Sequence, residues 1–290
     1  MLSTKLFPKA IDQHKPNKPL VPNGFGVFYV IISAIYLFLL YFLPGQNYSA
    51  ALPLAGCILF GGFMGLLDDW VDLRWRYKAF LPLFASLPLA VQREALGPEA
   101  TKMATYVFGK IEFGPLFYII IIPLIVTVVT NVVNQLGGLN GLETVPPSIV
   151  MIGIMVTSPE KMILLVGPLL TYLLLAVFNY QGKIFVGNTG SFAIGITLAS
   201  YAIIANNEQT LLISVLPFIF NSALILLNAF LFRRIARLIF KENKLHADNK
   251  RSLLTLIAYY RPASERRLVL IVSLLVVLST AIAVLVWFVG

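Results

Sequence analysis

Long apolar stretches dominate this sequence and decide the solvent in which it folds. Such stretches lie near 24–43, 51–67, 79–92, 115–130, 141–157, 162–178, 190–205, 211–231 and 268–289. A helix needs roughly 20 mostly apolar residues to cross a bilayer, and about 17 can suffice. The chain is 58% hydrophobic and only 12% charged, whereas soluble domains carry about 25% charged residues. The sequence therefore predicts an all-α, polytopic membrane protein with about nine transmembrane helices.

Two apolar segments fit this scheme less well. The third stretch is short, because the charged residues Arg93 and Glu94 end it. The segment Ser252–Tyr260 is apolar but too short to span, which leaves a re-entrant and an interfacial helix open. We found no internal repeat, and no linker long enough to separate two soluble domains. Residues 1–290 are predicted to form one integral membrane domain.

The distribution of Lys and Arg predicts the orientation of the chain. Nine spans put the two termini on opposite sides of the membrane, and the side that holds residues 1–23 receives 18 of the 22 basic residues. Ten of them lie in the loop 232–267, before the last span. Basic loops favour the cytoplasm, so the N-terminus is predicted to be cytoplasmic and Gly290 external. The polar start of the chain shows no apolar core of a cleavable signal.

The net charge of +9 does not indicate nucleic acid in so apolar a chain. Anionic lipid headgroups and phosphorylated substrates explain it better. The single cysteine, Cys57, excludes an intrachain disulfide and a thiolate metal site, and is predicted to serve helix packing. The same role is predicted for four glycines of the second span, Gly56, Gly61, Gly62 and Gly65.

Polar residues interrupt the apolar pattern in a first run, at the end of the second span. Asp68 and Asp69 are adjacent, Asp72 follows, and three cations come directly after, namely Arg74, Arg76 and Lys78. If the second helix continues for another turn, Asp68 and Asp72 share one face. Carboxylates near phosphates commonly work through Mg²⁺, and cations bind diphosphates. The alternative is a basic cytoplasmic loop with an incidental acidic patch.

A second and a third polar run follow on the same predicted side. Asn131 and Asn134 are three residues apart and share a helix face, and the glycines after them let backbone approach a ligand closely; the alternative is a plain turn. The third run, 185–191, combines glycines and hydroxyls at a helix start, which suits an anion. Its alternative is a helix cap at Asn188 or Thr189. Together with the basic loop, these runs predict an active groove that faces the cytoplasm.

The three runs together resemble the polyprenyl-phosphate N-acetylhexosamine-1-phosphate transferases. Leu-Asp-Asp-x-x-Asp-Leu-Arg-Trp-Arg-x-Lys occupies 67–78, Asn-x-x-Asn-x-x-x-Gly-x-Asn-Gly-Leu-Glu occupies 131–143, and Ile-Phe-Val-Gly-Asn-Thr occupies 184–189. The stretch 18–24 also resembles the segment before the family's second span. The archaeal and eukaryotic dolichyl-phosphate branch is the most similar. Family members usually have ten spans, so this chain looks as if the first were missing.

The resemblance implies an enzyme that transfers GlcNAc-1-phosphate, or a related sugar 1-phosphate, from a UDP-sugar to a polyisoprenyl phosphate and releases UMP. That reaction begins the assembly of a lipid-linked oligosaccharide for protein glycosylation. The implied cofactor is Mg²⁺, with Mn²⁺ as an alternative. The implied location is a prokaryotic cell membrane or the endoplasmic reticulum. A homodimer is common among relatives, but no interface can be recognised in the sequence.

The resemblance also implies roles for particular residues. Asp68, with Asp69 beside it, is expected to deprotonate or orient the lipid phosphate. Metal ligands are expected at Asn134 and Asn188, and Asn140 is expected near the uridine. The remaining substrate-binding residues are expected to be Asp72, Lys78 at the diphosphate, Asn131, Glu143, and one of Arg233, Arg234 and Arg237 at a phosphate.

Two departures from the family pattern keep alternatives open. Asn188 stands where the family has an Asp metal ligand, and the lost charge should weaken metal binding and activity unless another carboxylate such as Asp72 compensates. The bacterial branch carries a histidine cluster where this chain has only His246, which argues against the bacterial translocase. A silent member that binds UDP-sugar or lipid phosphate is therefore one alternative. A transporter is another, but the acidic residues lie at span ends rather than at mid-membrane.

Overall fold

The computed structural model describes residues 7–44, 48–91, 101–105, 109–232 and 236–289, and these are mainly helical. In chain order the helices are α1 Gly26–Tyr41, α2 Ala51–Val71, α3 Trp75–Phe80, α4 Pro82–Ala85, α5 Leu87–Val91, α6 Ile122–Gln135, α7 Val145–Val156, α8 Ile163–Tyr180, α9 Gly187–Ala205, α10 Glu208–Ser214, α11 Leu216–Phe232, α12 Leu253–Tyr260 and α13 Glu265–Val289. A π-helical turn, Phe117–Ile121, leads directly into α6.

Five helical segments in the described residues are long and apolar enough to cross a membrane. They are α2, the continuous segment Phe117–Gln135, α8, α9 and α13. Helices α10 and α11 make a sixth candidate if their 59° bend is counted as a break within one span. Two further apolar helices, α1 and α7, are shorter. The predicted helical membrane fold is therefore confirmed in its coarse form, with five to six candidate spans rather than nine by length alone.

The third predicted span is not one helix. Its region contains the short helices α3, α4 and α5. Pro82 begins α4 and Pro88 lies in the first turn of α5. Proline lacks a backbone N–H and its ring clashes with the preceding turn, so each proline ends the helix before it. Arg93 and Glu94, which were expected to end the span, lie outside the described residues.

Three antiparallel hairpins correct the prediction of a purely helical chain. They pair β1 Lys9–Ile11 with β2 Leu20–Pro22, β3 Lys102–Thr105 with β4 Gly109–Glu112, and β5 Ile239–Lys241 with β6 Lys244–His246. All six strands have three or four residues, which is too short for an alternating pattern to stand out in the sequence. The apolar segment before α13 forms α12, and a capping box of Ser252 and Thr255 begins it.

Helix α9 is the centre of the fold and packs on α1, α2 and α6. In an apolar stretch of 18 residues along α9, 89% is buried inside the protein, compared with 33% of such a stretch along α13. An apolar helix with no polar face is stable when neighbours surround it. Helix α9 is therefore buried from Thr189 to Ile204, whereas its first two residues, Gly187 and Asn188, are only partly buried and present the third polar run of the sequence.

Glycines let α2 and α9 approach closely. A Cβ on Gly61 would lie 2.6 Å from the Ile196 side chain, and one on Gly65 would lie 2.3 Å from the carbonyl oxygen of Asn188. The glycines predicted to be helix contacts are confirmed, since Gly62 faces Val30 and Gly56 faces Pro88. Cys57 is fully buried in the same region, as its predicted packing role requires.

Candidate active site

The carboxylate of Asp69 meets the N-terminus of α9. The backbone N–H of Asn188 donates to Asp69 Oδ1 over 2.9 Å, and that of Thr189 donates to Oδ2 over 2.9 Å. The Thr189 hydroxyl donates to the same Oδ2 over 2.7 Å. A helix N-terminus carries free N–H groups and a partial positive charge. The anion that the third polar run was predicted to bind is thus, in this structure, the side chain of Asp69.

Gly187 makes this contact possible. Its φ of +70° lies in the left-handed region, and a Cβ there would fall 2.7 Å from Asp69 Oδ2 and 2.8 Å from Asn23 Oδ1. Glycine is the residue that adopts this φ without strain and leaves the space free. Because α9 begins at Gly187, Asn188 and Thr189 lie inside its first turn, and neither is the helix cap that the alternative interpretation required.

Helix α6 contributes Asn134 to the same region. Its Oδ1 accepts a hydrogen bond from Ser191 Oγ over 2.5 Å, and that hydroxyl also lies 3.3 Å from the carbonyl oxygen of Asn188. Asn131, three residues earlier, was expected to share this face. Its Nδ2 instead donates to the carbonyl oxygens of Thr127, over 2.9 Å, and Ala79, over 3.4 Å. Asn131 therefore ties α6 to α3, whereas Asn134 faces the start of α9.

Glu143 lies in the turn that precedes α7, with its side chain half-buried. Oε1 accepts from the backbone N–H of Gly138 over 3.3 Å, and Oε2 is buried with no hydrogen-bond partner among the described residues. Burial, and secondarily the negative charge of nearby Asp69, raises the pKa of Glu143 to about 7, against the opposing effect of the Gly138 N–H. The carboxylates of Glu143 and Asp69 thus face the same cavity, in a region from which water is partly excluded.

A single buried amide holds the turn that carries Glu143. Asn179, at the end of α8, accepts from the backbone N–H of Gly141 over 2.8 Å and donates to the carbonyl oxygen of Ile184 over 3.0 Å. The Thr144 hydroxyl donates to the same Asn179 oxygen over 3.2 Å. The second and third polar runs of the sequence are therefore joined through one side chain that belongs to neither.

Asn140 is held from two distant parts of the chain. Its Nδ2 donates over 2.8 Å both to Asp12 Oδ2, in the β1–β2 hairpin, and to Glu265 Oε1, at the start of α13. Its backbone N–H donates to Glu265 Oε1 over 2.7 Å. Lys15 Nζ lies 3.2 Å from Asp12 Oδ2 and offsets part of the negative charge of the Asp12 and Glu265 carboxylates. The hairpin and the last long helix are thereby fastened to the second polar run.

These groups line one cavity of about 490 Å³. Among the predicted site residues, its lining includes Asp69, Asn134, Asn140, Glu143 and Asn188. An adjoining cavity of about 500 Å³ shares part of that lining and is bordered by Arg237. The structure thus brings together five of the predicted residues and places one basic candidate beside them. The other two basic candidates, Arg233 and Arg234, lie outside the described residues.

Asp68 does not line either cavity. The Asp68 side chain is buried. Its Oδ1 lies 2.8 Å from Lys78 Nζ and accepts from the backbone N–H of Leu73 over 2.9 Å. Asp72 ends α2 in a left-handed conformation, with φ of +50°, and its side chain is 98% exposed. The helix thus continues as far as Val71 but not through Asp72, so the expected shared face does not form. Lys78 nevertheless lies near both carboxylates, 3.5 Å from that of Asp72.

Oxygen donors in the cavity fit a hard cation. In the described part of the chain, no three His, Cys, Asp or Glu side chains are grouped so that they could hold a metal. The cavity offers instead the carboxylates of Asp69 and Glu143 and the carboxamides of Asn134 and Asn188. Mg²⁺ prefers oxygen and is commonly held by one or two carboxylates, several waters and substrate phosphates. Asp69 accepts three hydrogen bonds, which leaves about one of its four lone-pair positions free.

Several residues of the site were missed in the sequence. They are Asp12, Gln13, His14, Asn23, Asn179 and Glu265. Asp12 and Asn179 carry no local pattern, because their role depends on contacts more than 30 residues away along the chain. Glu265 offered a weak signal, as an acidic residue among cations at the start of the last apolar stretch.

The three polar runs that contribute to the cavity all lie between residues 51 and 206. Residues 51–206 match the sequence model of Glycosyl transferase family 4, and this range is more than half of the chain. The chain belongs to this family. The matched range contains α2, α6, α9 and the turn before α7, which are the elements that carry Asp69, Asn134, Asn188 and Glu143.

Individual members of family 4 extend the similarity. A relative from Saccharolobus solfataricus is 33% identical over 219 residues, 72% of this chain and 66% of the relative. One from Sulfolobus acidocaldarius is 32% identical over 227 residues, 73% and 67%. Both are provisionally described as UDP-N-acetylglucosamine–dolichyl-phosphate N-acetylglucosaminephosphotransferases. A Dictyostelium discoideum protein with that name is 30% identical over 211 residues, 61% of this chain and 51% of the relative.

These matches confirm the archaeal and eukaryotic branch that the motifs resemble. The chain spans about two thirds of the length of the two archaeal relatives and about half of the Dictyostelium protein. The range that matches the family model, residues 51–206, contains the cavity lining from Asp69 to Ser191.

Proposed function

We propose that this family 4 chain transfers N-acetylglucosamine 1-phosphate from UDP-N-acetylglucosamine to dolichyl phosphate and releases UMP. The observation that carries the proposal is the cavity in which Asp69, Asn134, Asn140, Glu143 and Asn188 converge. Three relatives are named for this reaction. The product would be a lipid-diphosphate sugar, which starts a lipid-linked oligosaccharide.

In the proposed reaction an oxygen of the lipid phosphate attacks the β-phosphorus of the nucleotide sugar. A new P–O bond forms, the bond between the β-phosphorus and the bridging oxygen breaks, and UMP leaves with that oxygen. Catalysis of this kind depends on positioning and on charge stabilisation. Of the two adjacent aspartates, Asp69 lines the cavity, and we assign it the contact with the reacting groups. Asp68 is assigned the positioning of Lys78, which lies 2.8 Å from it.

We propose Mg²⁺, or Mn²⁺ in its place, as the cofactor, held by Asp69, Asn134 and Asn188 together with the diphosphate. When bound, the cation offsets the charge that accumulates on the phosphoryl oxygens. The carboxamide of Asn188 supplies an oxygen ligand without a negative charge. We therefore expect weak metal affinity in the absence of the nucleotide sugar.

The nucleoside is assigned to the part of the cavity lined by Asn140 and Phe185. An aromatic ring offers a flat surface for a base, and Asn140 offers a hydrogen-bonding edge. Glu143 faces the same space near Asp69. Arg237 borders the adjoining cavity and is assigned to a phosphate.

We propose nine spans by adding three segments to six candidate spans, with α10 and α11 taken as one broken span. Helix α1, with 16 residues, is close to the shortest length that crosses a bilayer, whereas α7, with 12 residues, would need flanking residues or a locally thinner bilayer. Helices α3 to α5 would cross together as one broken span. The distribution of Lys and Arg favours a cytoplasmic N-terminus, and with it a cavity that opens to the cytoplasm. An integral membrane location gives the cavity access to its lipid substrate.

The test is UMP release by the purified full chain from UDP-N-acetylglucosamine. Complete mixtures contain dolichyl phosphate and Mg²⁺, and each is omitted in turn, with EDTA added when the metal is omitted. The proposal expects UMP only in the complete mixture. UMP release without lipid would indicate a hydrolase, and no release together with no binding of UDP-N-acetylglucosamine would exclude the transferase.

One observation favours a second candidate, a silent member that binds substrates without turnover. Asn188 lines the cavity at the position where the family motif has Asp. The variant Asn188→Asp separates the two. If the unmodified chain is an enzyme, both forms release UMP, and the variant needs about tenfold less Mg²⁺ for half-maximal rate because a charged ligand binds the cation more strongly. If only the variant turns over, the chain is a silent form.

A further inference from the structure

Asn23 stands between β2 and α1, in the stretch 18–24 that lies outside the three polar runs. The backbone around it is fastened to the segment that leads into α9. The N–H of Phe185 donates to the carbonyl oxygen of Pro22 over 2.8 Å, and the N–H of Phe25 donates to the carbonyl oxygen of Phe185 over 3.1 Å. Hydrogen bonds on both sides of Asn23 therefore hold it beside the start of α9.

The side chain of Asn23 faces the same point as the carboxylate of Asp69. The position that a Cβ on Gly187 would take lies 2.8 Å from Asn23 Oδ1, 2.7 Å from Asp69 Oδ2 and 3.1 Å from Asp69 Oδ1. All three residues line the cavity. Because glycine leaves this point empty, two side chains from distant parts of the chain bring three oxygens to one small space at the cavity wall.

No donor separates these oxygens in the described part of the chain. Asn23 turns Oδ1 toward this space, and the three donors to Asp69 all come from the first turn of α9. Carboxylate and carboxamide oxygens only accept hydrogen bonds, so their negative charges repel each other in the absence of a donor or a cation. A cation bound to both side chains would replace this repulsion with attraction.

The proposed cation site is poor in charge. Of its assigned ligands, only Asp69 is ionised, and Asn134 Oδ1 already accepts from Ser191 Oγ. Asp72 could have offset the charge missing at Asn188, but its side chain is 98% exposed and is not part of the cavity lining. Mg²⁺ and Mn²⁺ take six oxygen ligands. A further protein oxygen would therefore strengthen the site.

We propose that Asn23 is a further ligand of the divalent cation, and that its Oδ1 acts together with the carboxylate of Asp69 beside Gly187. Both side chains offer oxygen, which hard cations prefer. A side chain at position 187 would fill the space between the two ligands. This inference rests on the proposed function, in which a divalent cation acts in this cavity.

Mn²⁺ binding to the purified full chain tests this assignment without turnover. Free Mn²⁺ gives a strong electron paramagnetic resonance signal that falls as the ion binds. A titration without nucleotide, repeated with UDP, therefore gives the dissociation constant. Asn23→Ala removes the proposed oxygen and is expected to weaken binding about tenfold. Asn23→Asp replaces a neutral oxygen with a charged one and is expected to tighten binding about tenfold.

Asn243→Asp is the matched control for the added charge. Asn243 is exposed in the turn between β5 and β6, and this variant should bind Mn²⁺ as the unmodified chain does. Thermal unfolding in EDTA shows whether each variant is folded. Asn23→Asp is expected to unfold at a lower temperature in EDTA, because two carboxylates then face each other, and to recover when Mn²⁺ is added.

The metal dependence of turnover separates a ligand from a residue that only shapes the cavity. Asn23→Ala is expected to need about tenfold more Mg²⁺ for half-maximal UMP release. At saturating Mg²⁺ its rate should lie within about threefold of the unmodified chain. Loss of the shape of the cavity would instead lower the rate, or raise the KM for UDP-N-acetylglucosamine, at every Mg²⁺ concentration.

The outcomes separate this inference from the proposed function. If folded Asn23→Ala binds Mn²⁺ as tightly as the unmodified chain, Asn23 is not a ligand, and the transferase is unaffected. Tighter binding also overturns the inference, because it would show that the carboxamide is turned and donates to Asp69. If Mn²⁺ binding depends on Asn23 but the chain releases no UMP, the cation site stands and the proposed transfer fails.

Discussion

Among single residues, Asp69 connects the fold most directly to the proposed chemistry. Its carboxylate accepts three hydrogen bonds from Asn188 and Thr189 at the first turn of α9. These bonds leave the side chain little freedom to rotate, so the remaining lone pair points in a fixed direction. Positioning by fixed donors costs no reorganisation at the moment of reaction.

The Thr189 hydroxyl can be removed almost isosterically. Thr189→Val deletes the 2.7 Å bond to Asp69 Oδ2 and leaves both backbone donors in place. A hydrogen bond to a charged group contributes about 1.5–3 kcal/mol, so we expect UMP release to slow by about tenfold or more. Thr189→Ser keeps the hydroxyl and should retain most of the rate. A valine variant as fast as the serine variant would contradict a positioning role.

Glu143 makes stability depend on pH. Its pKa is raised to about 7 in the folded protein, above the value of about 4.3 expected when the chain is unfolded. A group with a raised folded pKa contributes fully at pH below the unfolded pKa, and its contribution is lost as pH rises through the folded pKa. The metal-free protein should therefore lose about 1–3 kcal/mol between pH 5 and pH 8 relative to Glu143→Gln.

Thermal unfolding of both forms across that range, in EDTA, measures this difference. Parallel pH profiles for the two forms would show that Glu143 does not titrate as its surroundings indicate. Glu143→Gln keeps a side-chain oxygen that can accept from the Gly138 N–H. The local structure is therefore retained, and a difference between the two pH profiles reports only the titration of Glu143.

At the scale of elements, the crossing of α2 and α9 determines the site. The crossing brings the last turn of one helix against the first turn of the other, so that Asp69 reaches the N–H groups of α9. It depends on small residues, because Gly65 lies against the backbone of Asn188.

Gly65→Ala tests this crossing. The added Cβ would lie 2.3 Å from the Asn188 carbonyl oxygen, so α9 must move away from Asp69. Overpacking of this kind costs typically about 1–3 kcal/mol, and we expect UMP release to fall by more than tenfold. Gly56→Ala on the same helix is the control, because its Cβ meets only the ring of Pro88, at 3.3 Å. Equal activities of the two variants would contradict the proposed dependence on the crossing.

The long elements could be predicted from the sequence, because each depends on local composition. Asp69, Asn134, Asn140, Glu143 and Asn188 were expected at the site from the resemblance of the three motifs to the family, and the structure places all five in the lining of one cavity. The contacts between them could not be predicted, since these join residues such as Asn140 and Glu265 that are 125 positions apart.

The errors also have local physical causes. A count of apolar residues treats Pro82 and Pro88 like their neighbours, and the third span was therefore drawn as one helix. Strands of three residues, such as β1, leave no periodic signal. Asp72 was placed on a helix face, but the left-handed turn at this residue depends on how the chain proceeds toward α3.

For the whole molecule, the proposed topology places the two ends of α8 on opposite sides of the membrane. Glu160 and Lys183 flank this helix, and both are exposed. In a Cys57→Ala background, Glu160→Cys should react with an impermeant maleimide from outside intact cells. Lys183→Cys should react only after permeabilisation. The reverse pattern would invert the proposed orientation, and labelling of both from one side would contradict the span.

The proposed function requires that the cavity at Asp69 is where the transfer takes place. The direct measurement is the rate of lipid- and Mg²⁺-dependent UMP release by the full chain and by Asp69→Asn, with Asp248→Asn, an exposed carboxylate outside the cavity lining, as the control. We expect release by the unmodified chain, an unchanged control, and a loss of at least about 100-fold in Asp69→Asn, while thermal unfolding shows that the variant is folded. If Asp69→Asn turns over as fast as the unmodified chain, Asp69 does not act in the transfer and the proposed active site is wrong.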